Sequence, residues 1–163
     1  MSHPDCRVFQ TKRGMDGLKM FAEFLEKHRG ILTVSINERN YSTGRDGKPD
    51  MIFGSYAIEV KRVEFLCKHR FQDGEMFRPH IGHMSLLHES WNWLKEWTIA
   101  NKKTLILVVV LTLGRQPPIF IKFNQDQIDA LQQAQKTNKW IQLNVWDILQ
   151  QGKMLHDDPF TLM

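Results

Sequence analysis

Cysteine is nearly missing from this chain: Cys6 and Cys67 are the whole complement in 163 residues. Two cysteines cannot build the multiply bridged framework of a small secreted domain, so an ordinary apolar core has to hold the fold, and this length suffices for one. No apolar run approaches the ~18 residues that a membrane span needs. Residues 1–11 lack the apolar stretch of a secretory leader. The expectation is one soluble, cytoplasmic domain over residues 1–163, with no membrane partner. Internal repeats are absent, and the mild glutamine enrichment from Gln125 to Gln135 is what a solvated helix face explains. Neither sign of charge dominates: Lys and Arg number 22 against 18 for Asp and Glu, a net +4 that favours a polyanionic partner only weakly.

What is present is alternation between helical and strand periods. Leu18, Phe21, Ala22 and Leu25 recur at helical spacing between Asp16 and His28. Ile31 to Ile36 is β-branched and reads as a strand, and Asn37 to Pro49 has the polar, Gly- and Pro-bearing composition of a loop. Met51 to Phe53 and Ala57 to Lys61 are short strands around Gly54-Ser55, a pair suited to a type II′ turn. Glu64 to Gly82 shows no period and is expected to be an irregular surface segment. Ser85 to Ala100 carries Leu86, Leu87, Trp91, Leu94 and Trp97 at helical spacing, with Trp93 off that stripe. Thr104 to Leu113 is an apolar run expected to be a strand buried on both faces. Ile119 to Phe123 is expected as a further strand and Gln125 to Lys136 as a helix, while Trp140 to Gln151 fits either a strand or a helix. The core order is αβββαβ, an α/β fold with helices flanking a sheet.

The hairpin carries the chemistry. With Gly54 and Ser55 as the turn, residue 53 opposes 56, 52 opposes 57, 51 opposes 58, and Asp50 opposes Glu59. Directly opposed residues have Cβ atoms roughly 4.5–5.5 Å apart, close enough for two carboxylates to share a divalent cation and to repel without one. Lys61 shares the face of Glu59, and Ile58 and Val60 turn to the other face and into the core. The plain alternative is a solvent-facing hairpin with a surface ion pair of little worth. By average residue usage, Pro-Asp followed within a plausible window by Glu-x-Lys arises in roughly one chain per hundred of this length.

Pro49-Asp50 followed by Glu59-Val60-Lys61 resembles the signature of the PD-(D/E)XK nuclease superfamily, and the αβββαβ order resembles its restriction-endonuclease-like core with a mixed sheet. Gly47-Lys48-Pro49-Asp50 and Ile58-Glu59-Val60-Lys61-Arg62 are similar to the virus-type replication-repair nucleases and the archaeal Holliday-junction resolvases, over roughly residues 12 to 113. The resemblance implies a DNA endonuclease in which Asp50, Glu59 and the Val60 carbonyl hold Mg²⁺, with Mn²⁺ able to substitute, and Lys61 orients the attacking water. It also implies a carboxylate on the first helix, Glu23 with Asp16 and Glu26 as alternatives, and often a dimer. Where those families place a Gln in a pattern like Leu-Ser-x-x-Gln, this chain has His88. His88 is accordingly a secondary catalytic or phosphate-binding candidate.

Arg45, Lys48, Arg62, Lys68, Arg70 and Arg78 are the candidate DNA contacts, since the first half holds most of the arginine and interleaves it with aromatic residues. Cys67, His69, His80 and His83 could bind a structural zinc, but their spacing matches no common finger, so zinc is not expected. A small sequence-reading restriction enzyme, or a silent nucleic-acid-binding module, are the competing functions.

Overall fold

The computed structural model describes residues 16–27, 35–36, 47–67 and 80–155. Its first helix, α1 (residues 16–27), buries the expected stripe of Leu18, Phe21, Ala22 and Leu25. Six strands form the main sheet: β1 (Ser35–Ile36), β2 (Met51–Phe53), β3 (Tyr56–Glu64), β7 (Thr104–Thr112), β8 (Ile119–Asn124) and β10 (Lys153–Leu155), in the order β1-β2-β3-β7-β8-β10. The sheet is mixed: β3 and β7 run parallel, and every other neighbouring pair is antiparallel. A parallel pair needs a long crossover. Here the crossover contains β4 (Leu66–Cys67), β5 (His80–Ile81), β6 (His83–Leu87) and helix α2 (His88–Ala100).

Alternation along the central strands divides the core in two. Ile58, Val60, Ile106, Val108 and Val110 turn to one face and pack with α1. Ala57, Val63, Leu105, Leu107, Val109 and Leu111 turn to the other, where Trp91 and Leu94 of α2 lie. That is why β7 reads as unbroken apolar sequence: helices cover it on both faces. The second face is completed by α3 (Gln125–Ala134), β9 (Trp140–Asn144) and α4 (Val145–Gln151). Asn124 and Asn144 each end a strand and start a helix. Asn124 forms a capping box with Gln127, and the Asn144 side chain accepts from the Asp147 N–H at 2.9 Å.

Three local expectations change. The helix expected from Ser85 begins at His88, because Met84 and Leu86 alternate into the core while Ser85 pairs with Gln142 of β9. The segment from Glu64 to Gly82, expected to be irregular, contains β4 and β5 paired antiparallel, and its residues 68–79 lie outside the described set. Trp140 to Gln151 is a strand followed by a helix: Ile141 and Leu143 are buried at period two, then Val145 and Ile148 at helical spacing. Of the expected strand Ile31 to Ile36, only Ser35–Ile36 falls among the described residues. No helix among the described residues is long and apolar enough to cross a membrane.

Candidate active site

The β2–β3 hairpin has the expected register, with Phe53 opposite Tyr56, Ile52 opposite Ala57 and Met51 opposite Ile58. Gly54, the first central residue of its turn, has φ +58°, and Ser55 does not have positive φ, the combination of a II′ turn rather than I′. The ladder stops at Met51, and the backbone bends at Asp50. The reason lies in the next residues. Pro49 has no N–H to donate to β3, and the Asp50 side chain takes the ladder group there: its Oδ2 accepts the buried Val60 N–H at 2.9 Å. Asp50 therefore reaches along the end of β2 instead of standing as a simple cross-strand partner of Glu59.

Both carboxylates are withdrawn from solvent, Asp50 at 2% exposure and Glu59 at 3%. Glu59 and the partly buried Lys61 lie on the α2 side of the sheet, since they alternate with Ile58 and Val60, which pack on α1. Burying two acids at adjoining positions is costly unless positive charge or hydrogen bonding compensates. Asp50, Glu59 and Lys122 are the buried charged residues among those described. Lys122 is in β8, opposite Lys153, and cannot be the local answer: it shares the α1 face with Phe120. Its ammonium is held below the ordinary lysine value by desolvation and, secondarily, by Lys153.

Among the described residues no group of three or more His, Cys, Asp or Glu side chains is arranged to hold a metal ion. The donors that the sequence led us to expect, Asp50, Glu59 and the Val60 carbonyl, are an all-oxygen set of the kind hard divalent cations take. In a strand the N–H and C=O of one residue point to the same edge. The Val60 N–H points at Asp50, so its carbonyl also faces the end of β2, where Pro49 offers no donor.

The other candidates are placed less uniformly. Glu23 is exposed on α1, whose apolar stripe packs on the opposite sheet face from Glu59, and Glu26 is exposed as well. Asp16 is bound to Arg62 across 46 positions of sequence, Nη1 to Oδ2 at 3.4 Å. Arg62 also reaches Glu64 at 3.8 Å and donates to Thr112 Oγ1 at 3.4 Å, with only 14% of its side chain exposed. Arg62, expected on DNA, thus braces α1 against β3 in this structure. Lys48 is exposed, while Arg45, Lys68, Arg70 and Arg78 lie outside the described residues. His88 opens α2, and its Nε2 is the one buried side-chain nitrogen or oxygen with no hydrogen-bond partner among the described residues. Of the four residues weighed and set aside for zinc, His83 is exposed, Cys67 lies opposite His80 in the β4–β5 register, and His69 falls outside the described residues.

No protein-family model and no curated protein matches the chain. Among solved structures it is similar to Hjc of Archaeoglobus fulgidus, a Holliday junction resolvase from an archaeal hyperthermophile. The two are 14% identical with a TM-score of 0.53, and the match covers 86% of this chain and 95% of that one. At this identity the likeness is one of fold, a mixed sheet flanked by helices.

Proposed function

We propose that this chain is a single-domain, metal-dependent DNA endonuclease of the PD-(D/E)XK type, selective for branched DNA such as arises in replication, repair or recombination. The observation that carries the reading is the pair of buried carboxylates, Asp50 and Glu59, at the end of the β2–β3 hairpin with Lys61 on the Glu59 face. A buried acidic pair is a poor structural element and a good receptor for a divalent cation. The similarity in fold to a Holliday junction resolvase supports the same class of substrate.

Asp50, Glu59 and the Val60 carbonyl would hold Mg²⁺, with Mn²⁺ as a substitute. Bound there, the cation supplies charge neutralisation at the phosphate and acidity to a water. The protein's own groups do the rest. The Val60 N–H donates to Oδ2 of Asp50 and so helps to fix its rotamer at the site. Lys61 directs its ammonium at the phosphate oxygens, where negative charge grows in the transition state, and orients the attacking water. His88, with a buried and unpartnered Nε2, is the candidate for a further phosphate contact. Glu23 would have to act through solvent from the α1 side. Lys48, with Arg45, Lys68, Arg70 and Arg78, would meet phosphates away from the cut, and two copies of the chain would present paired sites to a junction.

The test is a cleavage panel of linear, single-stranded, flapped and four-way DNA in Mg²⁺, Mn²⁺ and EDTA. Cleavage of the branched substrates in either metal and none in EDTA is expected. Sequence-dependent cutting of linear duplex would replace the branched-DNA reading, and metal-independent cutting would remove the site.

A further inference from the structure

Strand β9 has one hydrogen-bonded strand neighbour among the described residues, β6. Its other edge is not bare. The Gln142 N–H donates to Gln135 Oε1 at 2.8 Å, and Gln135 Nε2 donates to the Gln142 carbonyl at 2.9 Å. In an antiparallel strand both backbone groups of a residue point to the same edge, and the direction reverses at the next residue. Gln142 therefore points away from β6, and so do Trp140 and Asn144, two positions to either side. A carboxamide offers one donor and one acceptor side by side, the pair that a residue of an adjoining strand would offer. Gln135 occupies that place at the middle of the edge. Its own backbone is fixed: its N–H donates to the Leu131 carbonyl and its carbonyl accepts from the Asn138 N–H, each at 2.9 Å.

We propose that Gln135 closes the β9 edge against a second copy of this chain. Unpaired strand edges template association, and proteins blunt them with charge, proline or bulges. Trp140-Ile141-Gln142-Leu143-Asn144 has no charged residue and no proline. Its ladder to β6 runs without a bulge from His83 opposite Asn144 to Leu87 opposite Trp140. The occupant that such an edge fits is another β9. Antiparallel about Gln142, two copies of the strand set Gln142 against Gln142 and Trp140 against Asn144, with no like charges opposed and with the two-fold symmetry of an isologous contact. The Gln135 carboxamide stands in the way of that pairing. Two copies of the chain brought to one DNA junction then meet through a different surface. One residue of the glutamine-rich stretch, which composition alone assigns to a solvated helix face, thus has a specific partner and a specific effect.

The experiment is sedimentation velocity on the full chain over a range of concentrations, so the result does not depend on cleavage or on the nuclease reading. The proteins are wild type, Gln135→Ala, Gln142→Pro and the double variant. Gln135→Ala frees both backbone groups of Gln142 and should strengthen self-association by about 10-fold or more, the scale of two added backbone hydrogen bonds. Proline at 142 removes an N–H that does not serve β6, a position where an edge strand tolerates it. The double variant should return to wild-type association, and Gln142→Pro alone should match it. Wild-type association in a folded Gln135→Ala overturns the proposal. So does a double variant that associates as strongly as Gln135→Ala, which puts the new contact elsewhere, and so does dissociation of a wild-type dimer by Gln142→Pro, which shows the edge already in use. Should Gln135→Ala not fold, hydrogen exchange in the wild type decides: the Gln142 N–H must exchange more slowly than the outward Trp140 N–H, and equal rates overturn the proposal.

Discussion

The two sides of strand β3 answer the same electrostatic problem differently. On the α1 side, Arg62 finds Asp16, Glu64 and Thr112 within 3.8 Å, so that its charge is met by opposite charge. On the α2 side, Glu59 is buried at the end of the hairpin next to Asp50, with Lys61 the adjoining cation on the strand. One side is a brace made of opposite charges. The other buries two acidic residues at adjoining positions of the hairpin end, and it is on this side that the proposed cation site rests.

The largest effect that would break this comparison is on cleavage. Asp50→Asn and Glu59→Gln keep the size and hydrogen-bonding oxygen of each side chain and remove its charge. Both should bring metal-dependent cleavage of branched DNA to background, with unchanged circular dichroism. Cleavage at the wild-type rate in either variant would reduce the acidic pair to a structural feature. Lys61→Ala should come next, with kcat lower by roughly 100-fold, the scale of losing a preorganised electrostatic group, and with DNA affinity kept. Parallel loss of affinity would make Lys61 a phosphate anchor.

The third effect is on stability and separates the two acids. Sequence reasoning alone predicts that removing either carboxylate relieves repulsion and leaves the metal-free protein as stable or more so. The Val60 N–H changes that for Asp50: truncation strands a buried donor at a cost of about 1–3 kcal/mol. Asp50→Ala should therefore unfold at lower urea than Asp50→Asn, which retains an acceptor. Equal midpoints would mean that the bond at Val60 contributes nothing.

The hairpin was legible because its signals are local. Gly54-Ser55 sets the turn, the turn sets the register, and period-two alternation sends Ile58 and Val60 to one face and Glu59 to the other. Strand β7 was legible from its unbroken apolar run. Strand β6 was hidden, since Leu86 and Leu87 suit a helix start as well as a strand end, and the choice is made by pairing with β9 more than 50 residues on. A comparable distance hid two partners of Arg62, Asp16 and Thr112. Asp50 and Glu59 could be chosen from sequence, but the hydrogen bond that orients Asp50 needed coordinates.

The brace on the α1 side sets a smaller expectation. Arg62→Met keeps the stem and removes the charge, and because Asp16 is 39% exposed the loss should be no more than about 1 kcal/mol. Its DNA affinity should keep the wild-type salt dependence. A slope flatter by about 0.9 log unit would put Arg62 on a phosphate and dissolve the contrast between the two sides of β3.

The smallest effect concerns Lys122, which shares the α1 face but has a like charge, Lys153, directly across the β8–β10 ladder. Desolvation first and Lys153 second hold it below its ordinary value of 10.5. A lysine depressed in the folded state binds its proton more tightly when unfolded, so the penalty is fully present below the folded pKa. It is relieved as pH rises through that value toward 10.5, and stability should rise over that window. Lys153→Ala removes the lesser cause. The folded value then moves up, stability at neutral pH increases slightly, and the alkaline rise becomes shallower. Urea midpoints for both proteins from neutral pH upward measure the difference, with the exposed Lys153 contributing little else. Identical pH slopes would show that repulsion across this ladder is screened, leaving desolvation as the whole cause and the acidic end of β3 as the place where like charges are held together to an effect that can be measured.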